Sequence, residues 1–302
     1  MTHWTCSSLD VYKRQAHRYA HQLRDLSADR VQGELRRILL ADAKYPTLAS
    51  ATNQPAGHVI ALRLLADSGA LRVLMPELYA GDGMLQNPVY HRYDVLQHNL
   101  HACMAAPCQL TLRLAALLHD VGKPAVYASQ GNMHGHERTG AQMAAQILTR
   151  LGMDRHTTRS VCTLIARHMF DLDGRAKVST VRMRFAQWGF AFVEDLIALR
   201  KSDIEGSGTT PSQSRTVEKW TEILQAMRAE GAIDSMADLH ITGKQIMQVC
   251  QLPSGPVIGA IKERLFLRCA LYPQLNQPAC LEREAVRMAR SLGCINQRNG
   301  QT

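Results

Sequence analysis

The sequence predicts an all-α protein on three observations. Apolar residues recur at intervals of three and four along most of the chain, which is the spacing of a buried helix face. Runs of β-branched residues are few and short, so little of the chain favours strands. Capping residues also stand at the ends of periodic segments: Ser27 precedes residues 28–40, and Gly69 follows residues 59–68.

The predicted helices are interrupted by three segments without a helical period. Residues 1–15 lack a sustained period, and we interpret them as a frayed leader. Residues 76–90 are rich in Gly, Asn and Pro and predict a loop, whereas residues 206–214 (GSGTTPSQS) are typical of a linker. Helices are predicted near residues 16–26, 28–40, 59–68, 93–105, 109–120, 136–151, 155–169, 191–204, 215–230, 242–250, 256–271 and 280–292.

The composition favours a globular protein, which we expect in the cytoplasm. Of 302 residues, 46% are apolar and 20% are charged, which allows a sizeable core and argues against intrinsic disorder. The apolar run Leu114–Leu118 is far shorter than the roughly 18 residues that a membrane span needs, and no apolar stretch follows a basic N-terminus. We therefore expect no membrane segment and no secretory signal. The eight cysteines form no Cys-x-x-Cys pair and are expected to be reduced.

The positive charge is concentrated towards the C-terminus. The net charge is +9, and residues 240–302 hold eight Lys or Arg against three acids, an excess of +5. Such a segment fits a polyanion such as RNA, because phosphate contacts release counterions. An ordinary solvated helical surface explains this charge equally well.

Histidines are clustered in the middle of the chain. Eight of the 13 fall between His91 and His168, although His91 itself has no spacing that recommends it as a ligand. His119 and Asp120 end an apolar helix together, where burial is costly unless hydrogen bonds or a divalent cation satisfy them. Imidazole is the commonest transition-metal ligand, so several helices could share one metal centre. Further candidate ligands, each on or at the end of a separate predicted helix, are His98, His136, His168 and Asp203.

This order of ligands resembles the HD superfamily of metal-dependent phosphohydrolases. The resemblance is carried by YDVLQH (93–98), AALLHDVGKP (115–124) and HGHE (134–137). Flanking strings are similar to the part of bacterial tRNA nucleotidyltransferases, of the poly(A) polymerase type, that follows the transferase head. These strings are GELRRILL (33–40), ALRLLADSGALRVLMPEL (61–78), EDLIALRKSDIEGSG (194–208) and ITGKQIMQVCQLPSGPVIGAIKERL (241–265).

The same resemblance implies a domain division and a limit on activity. It implies a helical HD core at residues 91–205, an RNA-binding-like helical neck and body at 16–90, and a linker with a basic helical tail at 206–302. The family's transferase head carries a Gly-rich turn and an Asp-x-Asp pair. Here the only such pair, Asp171 and Asp173, has no predicted strand before it. We therefore expect no CCA addition by this polypeptide alone.

The resemblance also implies which residues form the site. His98, His119, Asp120 and Asp203 would hold a first metal, with Asp120 bridging to a second metal at His136 and His168. Nitrogen and carboxylate donors suit Mn, Ni, Fe, Co or Zn, with Mg possible. His119 and Asp120 are the candidate catalytic residues with Lys123. Candidates for binding the substrate phosphate are Lys123, Arg167, His134 and His101, for which a solvated or structural role stays open.

The expected function is hydrolysis of nucleotide or RNA phosphate esters, such as 2′,3′-cyclic ends, with tRNA as an expected partner. The alternative is the RNA-binding body of a truncated tRNA nucleotidyltransferase, which would take part in tRNA 3′-end processing without hydrolytic turnover. A third interpretation is a regulatory HD domain that binds nucleotide without turnover. The oligomeric state stays open.

Overall fold

A computed structural model describes residues 14–44, 57–209 and 214–294. Within these ranges the chain is helical and contains no strand, so the all-α prediction is confirmed. Residues 1–13 of the predicted leader and residues 210–213 of the predicted linker lie outside the described residues. No helix in the described ranges is long and apolar enough to cross a membrane.

Helices follow one another along the whole described chain. Residues 14–19 are helical and continue as a 3-10 helix, Ala20–Asp25, and a second 3-10 helix is Pro273–Leu275. The α-helices that follow are α1 (Ala28–Leu39), α2 (Ala41–Lys44), α3 (Gly57–Asp67), α4 (Ala70–Leu74), α5 (Pro76–Tyr79), α6 (Val95–Ala105), α7 (Leu110–Leu118), α8 (Lys123–Gln130), α9 (His136–Arg150), α10 (Arg155–Arg167), α11 (Val178–Trp188), α12 (Phe190–Gly206), α13 (Ser214–Ala229), α14 (Gly243–Cys250), α15 (Pro256–Leu271) and α16 (Pro278–Ser291).

Five α-helices in the described ranges were not predicted, and two of them are the short helices α2 and α4. The short helix α5 occupies the start of the predicted loop, with Pro76 at its first turn, where proline is tolerated. Helix α8 was also not predicted. Proline is tolerated in the first turn of a helix, and Pro124 lies in the first turn of α8. Helix α11 was also not predicted. Its sequence, VSTVRMRFAQW, mixes β-branched and basic residues and has only a weak apolar stripe.

The described residues divide into two compact units. The first runs up to Leu172 and resumes from Asp195 to the gap at residue 210, and the second takes Asp173–Glu194 and the residues from Arg215 onward. The division into segments 16–90, 91–205 and 206–302 stays a prediction.

Helix α7 forms the centre of the first unit. Leu114, Leu117 and Leu118 are fully buried, because α7 is mostly apolar and packs against α6 and α10. Helices α9 and α10 pack along most of their length. This bundle brings the C-terminal ends of α7 and α10 close to the N-terminal end of α9.

A buried arginine anchors the N-terminal part of α7 to neighbouring segments. The guanidinium of Arg113 is 2% exposed and donates from Nη2 to Asp42 Oδ2 at 2.6 Å and from Nε to the Ala106 carbonyl at 3.2 Å. It also donates to the carbonyl of Leu39 at the end of α1. Arg113 therefore links α1, α2 and the turn before α7, since a planar guanidinium can serve several acceptors at once.

The second unit is built around α15, which packs against α11, α14 and α16. Trp220 on α13 is fully buried and meets the ring of Phe185 edge-on at 6.0 Å. Arg182 is also buried; its Nε donates to the Ala270 carbonyl at 3.1 Å, and its guanidinium pairs with Glu230. These contacts give this unit its own core and its own buried polar network.

Candidate metal centre

Six buried side chains from five segments of the first unit converge on one place. Their positions follow from where the helices begin and end: His98 lies on α6, His119 caps the C-terminus of α7 and is followed by Asp120, His136 is the first residue of α9, His168 caps the C-terminus of α10, and Asp203 lies on α12. All six have at most 9% of their surface exposed.

Three of the histidines are oriented by the same backbone contact. The Nδ1 atoms of His119, His136 and His168 lie 2.7–2.8 Å from the carbonyl oxygens of Ala116, Met133 and Ile165, each three residues earlier. A carbonyl can only accept a hydrogen bond, so Nδ1 carries a proton and Nε2 is the ring nitrogen that can bind a cation. A hydrogen bond of this kind commonly fixes the tautomer of a metal-binding histidine.

The six candidate ligand atoms form two groups of three. In the first group, His98 Nε2 lies 3.0 Å from both His119 Nε2 and Asp203 Oδ1. In the second group, His136 Nε2 lies 3.0 Å from Asp120 Oδ1 and 3.3 Å from His168 Nε2. Within each group the ligand atoms all lie within 4.8 Å of one another.

Asp120 connects the two groups through its two carboxylate oxygens. Oδ1 faces the second group, while Oδ2 lies 3.5 Å from His98 Nε2 and 3.4 Å from His119 Nε2. A carboxylate in this position can donate one oxygen to each of two cations. The two-group geometry therefore matches a centre of one or two metal ions.

The donor chemistry also fits a metal ion. Neutral imidazole nitrogens that face each other at 3.0 Å and 3.3 Å repel unless a cation or proton lies between them. Imidazole nitrogens and carboxylate oxygens are the donor types that divalent transition ions bind. The described residues can therefore hold a divalent metal ion at each group.

Electrostatics at the centre favour positive charge. Burial would lower the pKa of His119, but the carboxylates of Asp120 and Asp203 raise it to about 10. Burial likewise disfavours ionised Asp120 and Asp203, yet the neighbouring histidines hold both pKa values well below their usual range, helped by Lys123 at Asp120 and Arg200 at Asp203. Two ionised carboxylates in an apolar bundle need compensating cations.

Gly122 allows the helix ends to approach closely. A Cβ atom built on Gly122 would lie 2.3 Å from the carbonyl oxygen of His136 and 2.5 Å from the amide nitrogen of Gly140. Both distances are far below contact distance and involve backbone atoms. Only glycine therefore permits α9, and with it His136, to lie this close to the segment that carries Asp120.

Two residues that contact the candidate ligands were not predicted from the sequence. Arg200 donates from Nη1 to Asp203 Oδ2 at 2.6 Å, which leaves Asp203 Oδ1 facing the histidines. Its spacing of three residues from Asp203 on one helix was a usable signal. The ring of His91 meets the ring of His98 edge-on at 4.7 Å, and burial lowers its pKa to about 4. No sequence signal identified His91, because it lies in a loop.

The structure places the other four predicted site residues in different settings. Lys123 is buried and donates to Asp120 Oδ2 at 2.5 Å. His101 stacks on the ring of Tyr93 at 4.3 Å. His134 is exposed two residues before His136, and Arg167 is half-buried beside His168 at the end of α10. The roles predicted for all four stay predictions.

Comparison with known proteins identifies the class of this region. Residues 91–205 match the family described as HD domain, a superfamily of metal-dependent hydrolases. This range contains all six ligand residues of the two groups.

Beyond this domain, 65–76% of the chain is similar to the C-terminal part of CCA-adding and A-adding tRNA nucleotidyltransferases. It is 30% identical over 213 residues to an A-adding tRNA nucleotidyltransferase of Deinococcus radiodurans, which covers 65% of this chain and 47% of the relative. It is 28% identical over 242 residues to a CC-adding tRNA nucleotidyltransferase of Thermus thermophilus, covering 76% of this chain and 50% of the relative. A multifunctional CCA protein of Pseudomonas fluorescens is 34% identical over 139 residues, which cover 44% of this chain and 31% of the relative. The chain spans about half the length of the first two relatives.

Proposed function

We propose that this protein is an HD-type metal-dependent phosphohydrolase that acts on nucleotide or RNA phosphate esters, such as 2′,3′-cyclic ends. The observation that carries the proposal is the position of Asp120, whose two oxygens face two separate groups of ligands. Such an arrangement suits phosphate chemistry, because two neighbouring cations can stabilise both the attacking and the leaving oxygen.

The donor set favours a transition ion. His98, His119 and Asp203 would hold one ion and His136 and His168 the other, with Asp120 shared. Four imidazoles favour Mn, Fe, Co, Ni or Zn over Mg, which prefers an oxygen shell. When bound, the metal supplies a water of lowered pKa and positive charge for the phosphate oxygens.

The residues of the chain would bind and orient the phosphate. The Lys123 ammonium lies beside Asp120 and can donate to a non-bridging phosphate oxygen. His101, His134 and Arg167 are close in sequence to His98, His136 and His168. They are proposed as further contacts to the substrate. Asp203 would be kept in its ligating orientation by Arg200.

One preparation can test this function. The purified chain is expected to retain a divalent transition metal and to hydrolyse 2′,3′-cyclic nucleotides or a generic phosphodiester. The double variant His119→Ala with Asp120→Ala is expected to lose the activity. The matched control, His156→Ala with Asp29→Ala, changes the same residue types at exposed positions and should retain activity. Equal activity in the two double variants would refute the proposal.

A second candidate function is binding of the tRNA backbone, with or without hydrolysis. The observation that favours it is a cavity of about 530 Å³ in the second unit, lined by Arg264, Arg268 and Arg287 together with Ser291. Glu284 compensates part of the charge, since its carboxylate lies 3.1 Å from Arg268 Nε and 2.9 Å from Arg287 Nη2. The remaining excess of positive charge fits phosphate groups. The names of the relatives support tRNA as the RNA.

Binding and hydrolysis can be separated experimentally. The variant His119→Ala with Asp120→Ala should bind tRNA as tightly as the unmodified chain, because the arginines are in a different unit. The affinity for tRNA should fall steeply as the salt concentration rises. Tight tRNA binding with no turnover in any metal would select the binding function alone.

A further inference from the structure

The ammonium group of Lys123 is held by two acceptors from different segments. Lys123 begins α8 and is 8% exposed. Its Nζ donates to Asp120 Oδ2 at 2.5 Å and to Gln86 Oε1 at 2.6 Å. A buried ammonium has three donors and is costly without partners, so both acceptors determine where it lies.

Gln86 is itself fixed to the helix that carries His98. It lies in the segment 80–94, between α5 and α6, and its Nε2 donates to the Tyr93 carbonyl at 3.4 Å. Just before it, the Met84 carbonyl accepts from the amide of Val95 at 3.1 Å, at the first turn of α6. The Gln86 side chain is therefore anchored next to α6, the helix that carries the candidate ligand His98.

The position of Gln86 decides what Lys123 can do. Asp120 Oδ2 also faces His98 and His119, so an ammonium held by Asp120 alone would compete with a cation for that oxygen. A neutral amide oxygen holds the ammonium at a second point without neutralising its charge. Lys123 can then shift from Asp120 to a substrate oxygen while it keeps one hydrogen bond.

We propose that Gln86 is a positioning residue that holds the Lys123 ammonium at the metal centre for a phosphate oxygen of the substrate. The inference rests on the proposed phosphohydrolase function and names a residue that neither the motifs nor the family comparison assigns. Its effect should be seen in phosphate affinity, because it acts through the charge of Lys123.

The test measures binding of inorganic phosphate to the full-length, Mn²⁺-loaded chain by calorimetry, with KM and kcat for a phosphodiester where turnover is present. Gln86→Leu should weaken phosphate binding about tenfold and raise KM in parallel, since a hydrogen bond to a charged group is removed. The metal content should stay unchanged. Gln97→Leu, an exposed glutamine on α6, is the matched control and should behave like the unmodified chain.

A double-variant cycle separates positioning from a merely structural role. In a Lys123→Met background, Gln86→Leu should have no further effect on phosphate binding, because the group through which it acts is gone. An additive effect, or unchanged phosphate affinity in Gln86→Leu alone, would overturn the inference. If Gln86→Leu does not fold, Gln86→Asn, whose shorter side chain cannot reach Lys123, replaces it with the same expectation.

The two proposals fail in different ways. A chain that binds phosphate through Lys123 and Gln86 but hydrolyses no phosphate ester would refute the phosphohydrolase function and leave the positioning role intact. A chain that hydrolyses esters while Gln86→Leu matches the unmodified protein in phosphate affinity and KM would refute only the role of Gln86. Absence of any phosphate binding to the unmodified chain would overturn the inference.

Discussion

The candidate metal centre of the first unit and the arginine-lined cavity of the second differ in how their polar groups are held. At the centre, each ligand is buried and lies on or next to a helix, and three histidines are oriented by a backbone carbonyl. At the cavity, Arg264 and Arg287 are exposed, and Arg287 has only Glu284 as a described ionic partner. The first arrangement fixes geometry, as catalysis requires, whereas the second supplies charge that tolerates movement.

This difference predicts unequal sensitivity to single substitutions. A change of one ligand atom at the centre should abolish hydrolysis, because each candidate ligand has a fixed position that no neighbouring group can replace. A change of one arginine at the cavity should weaken binding by a modest factor, because backbone contacts to a polyanion are distributed. The following experiments challenge the comparison in order of expected effect.

The largest effect is expected for Asp120→Asn. The amide keeps the shape of the side chain but removes the charge and one of the two acceptor oxygens that connect the ligand groups. Because loss of groups that only support ligands typically costs 10–100-fold, loss of the shared ligand should lower kcat/KM by at least about 100-fold. Steady-state kinetics on a phosphodiester measure it. Asp173→Asn, at an exposed aspartate, should change kcat/KM less than twofold, and similar losses in both variants would contradict the account.

A comparable effect, on stability, is expected for Asp42→Ala. It leaves the Arg113 guanidinium buried without its carboxylate, which should cost about 3 kcal/mol of unfolding free energy. Hydrogen bonds from Arg113 hold the pKa of Asp42 below its ordinary value of 3.8, so the pair stabilises the fold above that pH and the contribution is lost as pH falls. Urea unfolding should therefore show a variant deficit at pH 7 that shrinks in acid. A deficit independent of pH would show that the ion pair is not its cause.

A smaller effect is expected for Arg200→Lys. Lysine keeps the charge but lacks the fork that donates to Asp203 Oδ2 and to the Leu172 carbonyl. Apparent metal affinity, measured by competition with a chelator, should fall about tenfold. Lys201→Gln on the same helix changes an exposed cation and serves as the control. Unchanged metal affinity in Arg200→Lys would mean that Asp203 keeps its orientation without the guanidinium.

The smallest effect is expected at the cavity. Arg264→Gln and Arg287→Gln should each weaken tRNA binding by a few-fold and reduce the slope of log affinity against log salt by about 1. Phosphodiester hydrolysis should be unaffected, since neither arginine lies in the unit that holds the ligands. Arg175→Gln, another exposed arginine of the second unit, should leave the slope unchanged. Equal slopes in all three variants would exclude this cavity as the RNA contact.

Most of the helices could be predicted from the sequence, and so could the six candidate ligands that the structure brings together, because their signals are local. An apolar helix that ends in His119 and Asp120 is visible without knowledge of the fold, and glycines such as Gly69 mark where helices stop. The order of the remaining histidines then follows a pattern that resembles a known superfamily. The two groups that the ligands form are a finding of the structure.

The supporting contacts could not be predicted because they depend on tertiary structure. Gln86 lies in a segment without periodicity, and its contact with Lys123 arises only when the segment 80–94 is anchored to α6. His91 lies in the same segment, and its ring contact with His98 likewise depends on how that segment packs. The close approach of Gly122 to the His136 carbonyl likewise depends on how α9 packs, which a glycine in the sequence does not specify.

The most direct test of the central claim is anomalous X-ray scattering from crystals of the chain grown with Mn²⁺. The account predicts an anomalous peak within coordination distance of Asp120 and His119, or two peaks on either side of the Asp120 carboxylate, and none in Asp120→Asn crystals. A crystal structure with no peak among the six ligands, or with the only peak elsewhere in the protein, would contradict it.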